Sequence, residues 1–352
     1  MKLLAIDVGM GTQDILLYDS NKNIENCFKM VLPSQTQIIA QRISMETRAG
    51  HDIVLAGETM GGGPCVGAVR RHIEAGLAVY ATERAALTVN DNLDRVRGMG
   101  VVIVSEEEAA ELNVTMIEMC DVDKPALKKA FGLFGISLPN RFAVAVQDHG
   151  YSPDTSNRVF RFDYFRDIIK KGGGLNSFVY KGNIPERFTR MKAVERTLPG
   201  ALLMDTGFAA IRGALLGADV KMPALVVNIG NGHTLAGVVD NGVVLSLFEH
   251  HTYQMAGQMT IAKLDDYLKR LCDGTLEFKE VFDDGGHGCY IRETVGFDNI
   301  GSILVTGPNR SIMRVSRLDV RFAAPYGDMM LTGCFGLMDA YLNYLENHND
   351  GT

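Results

Sequence analysis

The chain has 352 residues, of which 46% are hydrophobic and 22% are charged. That length and balance are typical of a globular protein with two domains of ordinary size. The net charge of −7 argues against a general nucleic-acid-binding surface, and no apolar run approaches the ~20 residues that a membrane-spanning helix needs. The cysteines are scattered and form no disulfide framework, which is typical of a reducing cytoplasm.

The first predicted elements are two short strands around a glycine-rich turn, within residues 2–19. Apolar runs flank a turn that contains Gly9, Gly11 and Thr12, and this pattern predicts a β-hairpin. The two glycines let the backbone curl so that N–H groups face an anion. Asp7 ends the first strand, where a carboxylate can hold a hydrated Mg²⁺ beside phosphates. The stretch indicates a phosphate-binding hairpin, with an ordinary polar-tipped hairpin as the alternative.

A run of three glycines follows further along the chain. A helix is predicted over 35–48, ending at Gly50, and a buried strand over 52–57. The run from Gly61 to Gly63 then precedes the start of another helix, a place where an anion can be held. We interpret it as a substrate-side loop, with a flexible connection as the alternative.

Polar residues end the next informative strand. Residues 141–146 predict a buried strand that delivers Gln147, Asp148 and His149 at its carboxyl end. Ligands of α/β sheets collect at that edge, so these residues are candidates for a site. The alternative is that Asp148 or His149 only caps the turn.

Residues 151–204 are polar and basic and are predicted to be an insertion. Their glycine run at 172–174 would suit a mobile lid, and a surface excursion is the alternative. After them, Asp205 or Thr206 is predicted to cap a helix over 208–216.

Residues 222–245 repeat the layout of the first hairpin. The positions that match its aspartate, two glycines and threonine are Asn228, Gly230, Gly232 and Thr234. In this alignment His233 is an inserted residue. Internal similarity at long spacing indicates a duplicated unit.

Histidines accumulate in the second half of the chain. His250, His251 and His287 could form a metal site together with His149 and His233, because imidazole is a common ligand for transition metals. No pair has the i, i+4 spacing of a helical metal motif.

Paired hairpins of this kind resemble the phosphate-1 and phosphate-2 loops of the actin, Hsp70 and sugar-kinase superfamily. The superfamily has a third mark, an adenosine-binding turn after a late strand. Residues 301–310 match it in part, with Gly307 followed by Pro308 where a second glycine is usual. A glycine-bearing helix predicted over 329–344 resembles the superfamily's last helix.

The resemblance implies an α/β protein with two ribonuclease H-like domains, residues 1–215 and 216–352, and a nucleotide cleft between them. It implies ATP and Mg²⁺ as cofactors, with Asp7 as metal ligand and catalytic residue. Asp148 would be the general base and Gln147 would position water. The other expected nucleotide contacts are Gly9, Gly11, Thr12, Asn228, Gly230, Gly232, Thr234, Thr206, Gly307 and Pro308.

The leading prediction is a cytoplasmic ATP-binding protein that transfers a phosphoryl group to an unidentified small molecule or hydrolyses ATP. Asn228 stands where the superfamily has an aspartate and brings no charge, so a non-catalytic nucleotide sensor or scaffold is the second hypothesis. A metal-dependent enzyme that uses the histidines is the third. Neither nucleic acid nor a membrane is an expected partner, and homo-oligomer formation is left open.

More narrowly, the chain resembles a small family labelled as a pyruvate formate-lyase activating enzyme. Such an enzyme needs a CxxxCxxC run whose thiolates hold a [4Fe–4S] cluster. The cysteines of this chain are Cys27, Cys65, Cys120, Cys272, Cys289 and Cys334. None lies within three residues of another, so the sequence argues against the radical chemistry that the label names.

Overall fold

The structure is a computed structural model that describes residues 1–153, 156–252 and 260–349. Its strands, numbered in chain order, are β1 Lys2–Val8, β2 Thr12–Asp19, β3 Phe28–Pro33, β4 Ile53–Gly57, β5 Val79–Thr82, β6 Val101–Val104, β7 Thr115–Met119, β8 Phe142–Val146, β9 Val179–Tyr180, β10 Leu202–Met204, β11 Ala224–Ile229, β12 His233–Asp240, β13 Val243–His251, β14 Gly288–Ile291, β15 Ser302–Thr306 and β16 Val320–Phe322.

The α-helices of the described residues are α1 Gln35–Ala49, α2 Gly63–Glu74, α3 Glu83–Ala86, α4 Leu93–Gly98, α5 Glu106–Glu111, α6 Lys124–Gly132, α7 Asn157–Lys170, α8 Thr189–Thr197, α9 Thr206–Ala214, α10 Ile261–Asp273, α11 Phe278–Asp283 and α12 Thr332–Asn349. The sequence also predicts a long amphipathic helix over 253–271; residues 253–259 of this prediction lie outside the described residues, and α10 begins at Ile261. In the described part of the chain, no helix is long and apolar enough to cross a membrane.

Two of the sheets share the same five-strand core topology, to which β9 and β14 each add one antiparallel strand, at opposite edges. The strand order is β3-β2-β1-β8-β10-β9 in the first sheet and β14-β13-β12-β11-β15-β16 in the second. In each, three antiparallel strands are followed by two parallel strands, β8 and β10 in one and β15 and β16 in the other. This repeated arrangement is that of two ribonuclease H-like domains, which confirms the predicted actin-like fold. The expected boundary at 215/216 lies between α9 and β11 and stays a prediction.

Strand β1 explains why these sheets form. Its side chains alternate between two cores, with Leu3 and Ala5 on one face and Leu4 and Ile6 on the other. Because both faces are buried, the strand is an almost unbroken apolar run. Asp7 interrupts the run where the strand reaches the hairpin turn.

Helices α9 and α12 pack against each other between the two sheets. A Cβ on Gly213 would lie 1.8 Å from the carbonyl oxygen of Thr332, and a Cβ on Gly336 would lie 1.9 Å from that of Ala209. Only glycine permits backbones to come this close. The contact joins the two halves of the protein.

Residues 151–204, predicted to be an insertion, contribute described residues to both the core and the first sheet. Helix α7 buries Phe162 and Phe165 in the core that the halves share, and β10 pairs with β8 in the first sheet. The backbone N–H of Val244 donates to the carbonyl of Gly173 (2.8 Å), so this glycine is anchored to the second half. The segment that forms a separate unit is the parallel sheet β6-β5-β4-β7, which has its own apolar core.

Candidate functional site

The two hairpins close in the same way. The N–H of Gly9 donates to the carbonyl of Thr12, and that of Gly230 donates to the carbonyl of His233, both at 2.9 Å. His233 is therefore the structural counterpart of Thr12, and the insertion assumed in the sequence alignment is not present. Thr234 is fully buried, with its hydroxyl 3.2 Å from that of Thr252, so the structure does not present it to the groove.

The tips of the hairpins meet. A Cβ on Gly11 would lie 2.4 Å from Nδ2 of Asn231, and one on Gly232 would lie 3.7 Å from Sδ of Met10. The two turns therefore face each other across one groove, although more than two hundred residues separate them.

One side of the groove holds most of the expected nucleotide-site residues. The pocket there has a volume of about 80 Å³. Its lining includes Asp7, Gly9, Thr12, Thr206, Asn228, Gly230, Gly307 and Pro308, together with Asp14.

Asp7 and Asp14 form a carboxylate pair that sequence reasoning missed. They are register partners across β1 and β2, so their side chains share a face of the sheet. Thr206 donates its hydroxyl to Oδ1 of Asp7 at 2.6 Å, whereas Oδ1 of Asp14 is buried and has no hydrogen-bond partner among the described residues. Burial raises the pKa of Asp7 to about 7 and that of Asp14 to about 8. The signal for Asp14 was an acidic residue directly before the apolar run that starts at Ile15.

The turn after β15 packs onto the second hairpin. Gly307 has a φ of +94°, and a Cβ there would lie 2.4 Å from the carbonyl oxygen of Ile229, so glycine is required. The N–H of Asn309 donates to that carbonyl at 3.1 Å, and its side-chain amide donates to the carbonyl of Gly230 at 3.0 Å. Pro308 lies at the edge of the groove.

A larger cavity, of about 460 Å³, lies on the other side of the hairpin tips. This volume is in the range of small-molecule sites. The glycines of the run 61–63 line it, as do Gln147, His149, His233 and Glu249. The cavity and the small pocket share Gly9 and Gly230, so a molecule in either one contacts the tips.

The carboxylate of Asp148 caps two backbone N–H groups. Its Oδ1 accepts from the N–H of Gly150 and its Oδ2 from the N–H of Met191, both at 2.8 Å. The side chain is buried, and burial raises its pKa to about 6. Both oxygens accept backbone hydrogen bonds, as the capping alternative predicts, and Asp148 also lines the larger cavity, so its role as general base stays a prediction. Gln147 does face the cavity, with its amide 2.6 Å from Nδ1 of His233.

A buried ionic network lies behind the cavity. Arg161 of α7 bonds Oδ2 of Asp205 through Nη1 at 2.6 Å, and its Nε lies 3.0 and 3.1 Å from the two oxygens of Glu249. Asp205 also caps α9 by accepting from the N–H of Gly207, as the sequence predicts. Arg161 and Glu249 were not predicted, because nothing in the sequence pairs residues 88 positions apart.

Three histidines come together beside this network. One ligand atom from each of His149, His233 and His287 lies within 4.8 Å of the others. The ring of His251 is 4.7 Å from that of His233, whereas His250 lies 3.4 Å from Asp284, away from the group. Burial lowers the pKa of His251 to about 4 and that of His287 to about 3, and lowers the pKa of His149 well below its usual value.

The cysteines do not assemble. All six are free, and within the described residues none belongs to a group that could hold a metal ion. Burial raises the pKa of Cys65 to about 11. The fold supplies no thiolate cluster in the described part of the chain.

This structure has the actin-like ATPase fold, with two hairpin tips facing one groove. Residues 60–312 match the profile of the family described as "Putative pyruvate format-lyase activating enzyme (DUF1786)". The chain belongs to that family. A search of curated proteins found no match.

Solved structures resemble the chain over most of its length. Ethanolamine utilization protein EutJ from Carboxydothermus hydrogenoformans is 12% identical, over 96% of this chain and 89% of that one, with a TM-score of 0.34. MreB5 of Spiroplasma citri, solved with ADP, is 9% identical over 99% of both chains, with a TM-score of 0.39. These values are too low to transfer a ligand or an activity.

Proposed function

We propose that the protein binds ATP with Mg²⁺ between its two hairpin tips and transfers or hydrolyses the terminal phosphate. The observation that carries this proposal is the contact between Gly11 and Asn231, which brings two glycine-rich turns from opposite halves to one groove. Backbone N–H groups of such turns bind anions. Two converging turns supply donors to the same polyphosphate from both sides.

Asp7 and Asp14 fit a divalent cation. They are opposed carboxylates on one face of a strand pair, an arrangement that is unfavourable when both are charged. One oxygen of Asp14 has no hydrogen-bond donor in the described part of the chain, and a cation would satisfy it. Mg²⁺ prefers carboxylate and water ligands and offsets phosphate charge when bound. In this proposal the pair holds the hydrated ion, and Thr206 orients Asp7 through its hydrogen bond.

The groove must open to admit the nucleotide. The hairpin tips are in contact, and the pocket beside them, of about 80 Å³, is smaller than a nucleotide. ATP binding therefore separates the tips, with movement about the contact between α9 and α12. Closure of the halves around the phosphates would exclude bulk water.

The acceptor would occupy the larger cavity. That cavity shares Gly9 and Gly230 with the nucleotide pocket, so an acceptor there lies next to the phosphates held at the tips. Gln147 lines it and is proposed to position a water or hydroxyl group. Asp148 is left out of this role because its carboxylate oxygens accept backbone hydrogen bonds.

Calorimetric titration with ATP, with and without Mg²⁺, tests the proposal, together with an assay of phosphate release. We expect one ATP per chain and tighter binding with Mg²⁺. No binding of ATP or ADP would contradict the proposal. Tight binding without phosphate release would favour the nucleotide sensor, which Asn228 also favours because an amide brings no charge to the second hairpin.

A further inference from the structure

The histidine group lies where the two halves of the protein meet. His149 follows β8 of the first half, His233 begins β12 of the second, and His287 precedes β14. One ligand atom of each lies within 4.8 Å of the others. His149 and His233 line the large cavity, and His287 lies behind them, fully buried.

His287 is the observation that points to a ligand. Its side chain has no exposed surface, and neither Nδ1 nor Nε2 has a hydrogen-bond partner within the described residues. Leaving a buried polar group unsatisfied costs about 1–3 kcal/mol, so such groups are rare unless a water, ion or ligand completes them. Two unsatisfied nitrogens on one ring, beside two other imidazoles, suit a metal ion.

The surroundings of His233 have the form of an outer ligand shell. Its Nδ1 lies 3.2 Å from Oε1 of Glu249 and 2.6 Å from the side-chain amide of Gln147, which accepts from the same N–H when its oxygen is turned to the ring. Glu249 is held in turn by Arg161. Metal-binding histidines commonly donate their second ring nitrogen to a carboxylate, which fixes the tautomer and the ring orientation. Because Nδ1 of His233 takes part in this hydrogen bonding, Nε2 is the ring nitrogen that is available to bind an ion.

We propose that His149, His233 and His287 bind one divalent first-row transition metal ion, of which Zn²⁺ is the representative. Three imidazoles select such ions, whereas Mg²⁺ prefers oxygen ligands. This site is therefore distinct from the carboxylate pair Asp7 and Asp14. Zn–N distances of about 2.0–2.1 Å place tetrahedral ligands about 3.4 Å apart, so ligand atoms that now lie within 4.8 Å of one another draw together by up to about 1.4 Å when the ion binds.

The proposed ion has an open position toward the cavity. Three protein ligands and one free position are the arrangement of catalytic zinc sites, in which the fourth ligand is water or a substrate oxygen. The ligand class expected at that position is an anionic oxygen, such as a carboxylate or phosphate group of the molecule in the cavity. Because His149 belongs to one half and the other two to the second, the ion also ties the halves together.

Metal titration of the full-length protein tests this inference without any nucleotide. After dialysis against a chelator, the protein is titrated with Zn²⁺ in competition with a chromophoric chelator. We expect one ion per chain. His149→Gln and His287→Gln should each weaken affinity by more than the about 10–100-fold that loss of an outer-shell partner costs. The control replaces the exposed His51 and His348 by Gln and should bind as the unchanged protein does.

Absence of stoichiometric Zn²⁺ binding by the unchanged protein would overturn the proposal. So would equal affinity of the His149 and His287 variants and the control. If a variant does not fold, X-ray absorption of the Zn²⁺-loaded unchanged protein counts the ligands directly. Three imidazoles would support the site, and one or none would overturn it.

Discussion

Gly11 and Asn231 meet at the tips of two hairpins that come from opposite halves of the protein, and a Cβ on Gly11 would lie 2.4 Å from Nδ2 of Asn231. This relationship makes the two turns a single site. A polyphosphate that enters the groove contacts both turns, and a change in either turn should impair binding.

The first prediction concerns the second turn. In Gly230→Val, the new Cβ would lie 2.9 Å from the carbonyl oxygen of His233, which accepts the hydrogen bond that closes the turn. The turn should open, and ATP affinity measured by calorimetry should fall by at least about tenfold, equivalent to about 1.4 kcal/mol. The matched control is Gly98→Val, because a Cβ on Gly98 meets nothing within 4 Å. Equal ATP affinity in both variants would refute the assignment of the turn.

The second prediction concerns Mg²⁺ and pH. Burial raises the pKa of Asp7 to about 7 and that of Asp14 to about 8, from an ordinary value of 3.8. Between these limits the folded state holds more protons than the unfolded state, so stability falls as pH rises in the absence of the ion. Mg²⁺ should replace the protons, and its effect on the melting temperature should grow from about pH 6 to about pH 8.5.

Asp14→Asn checks that reasoning, because it removes one of the two charges while keeping the shape. The Mg²⁺-dependent rise in melting temperature should shrink, and its pH dependence should flatten. Asp94→Asn is the control, since the side chain of Asp94 is 89% exposed. Two results would argue against a cation at this pair. One is a Mg²⁺-dependent rise in melting temperature that is the same at about pH 6 and about pH 8.5. The other is a rise that is unchanged in Asp14→Asn.

The third prediction concerns Arg161. Replacing it by Met leaves Asp205 and Glu249 buried without their cation, and breaking such a network typically costs about 3–5 kcal/mol. The measurement is urea unfolding. Arg97→Met is the control, since Arg97 pairs with Asp94 at the surface, where an ion pair contributes about 1 kcal/mol or less. Similar losses in the two variants would show that the buried network contributes no more than a surface pair.

The fourth prediction concerns the helix contact between the halves. Gly213→Ala places a methyl group 1.8 Å from the carbonyl oxygen of Thr332. The helices α9 and α12 must move apart, and overpacking of this kind costs about 1–3 kcal/mol or more. Gly132→Ala at the end of α6 is the control, because its Cβ meets no atom within 4 Å. Thermal unfolding of both variants checks the difference, and equal melting temperatures would contradict the close packing.

Local patterns predicted the hairpins and the helix cap at Asp205 correctly. Alternating apolar residues and glycine turns act over a few positions, so the sequence alone displays them. The duplication was predicted because both copies kept the glycine spacing. The alignment of the two hairpins missed the equivalence of Thr12 and His233. That equivalence depends on the backbone hydrogen bond that closes each turn, which residue types alone do not reveal.

Pairing over long distances could not be predicted. Asp14 acquires its role from the register of β1 and β2, and Arg161 from the packing of α7 against β13. Asp148 accepts one hydrogen bond from nearby Gly150 and another from Met191, 43 residues away, and only the fold supplies the second. These contacts are set by tertiary structure, which no single stretch of sequence encodes.

Hydrogen exchange with and without ATP and Mg²⁺, read by mass spectrometry, tests the central claim most directly. We assign the backbone N–H groups of residues 10–12 and 231–233 to a single polyphosphate, since those of Gly9 and Gly230 close the two turns. Slower exchange at both turns on addition of the nucleotide is the predicted result. Slowing at only one turn, or at neither while ATP is bound, would contradict it.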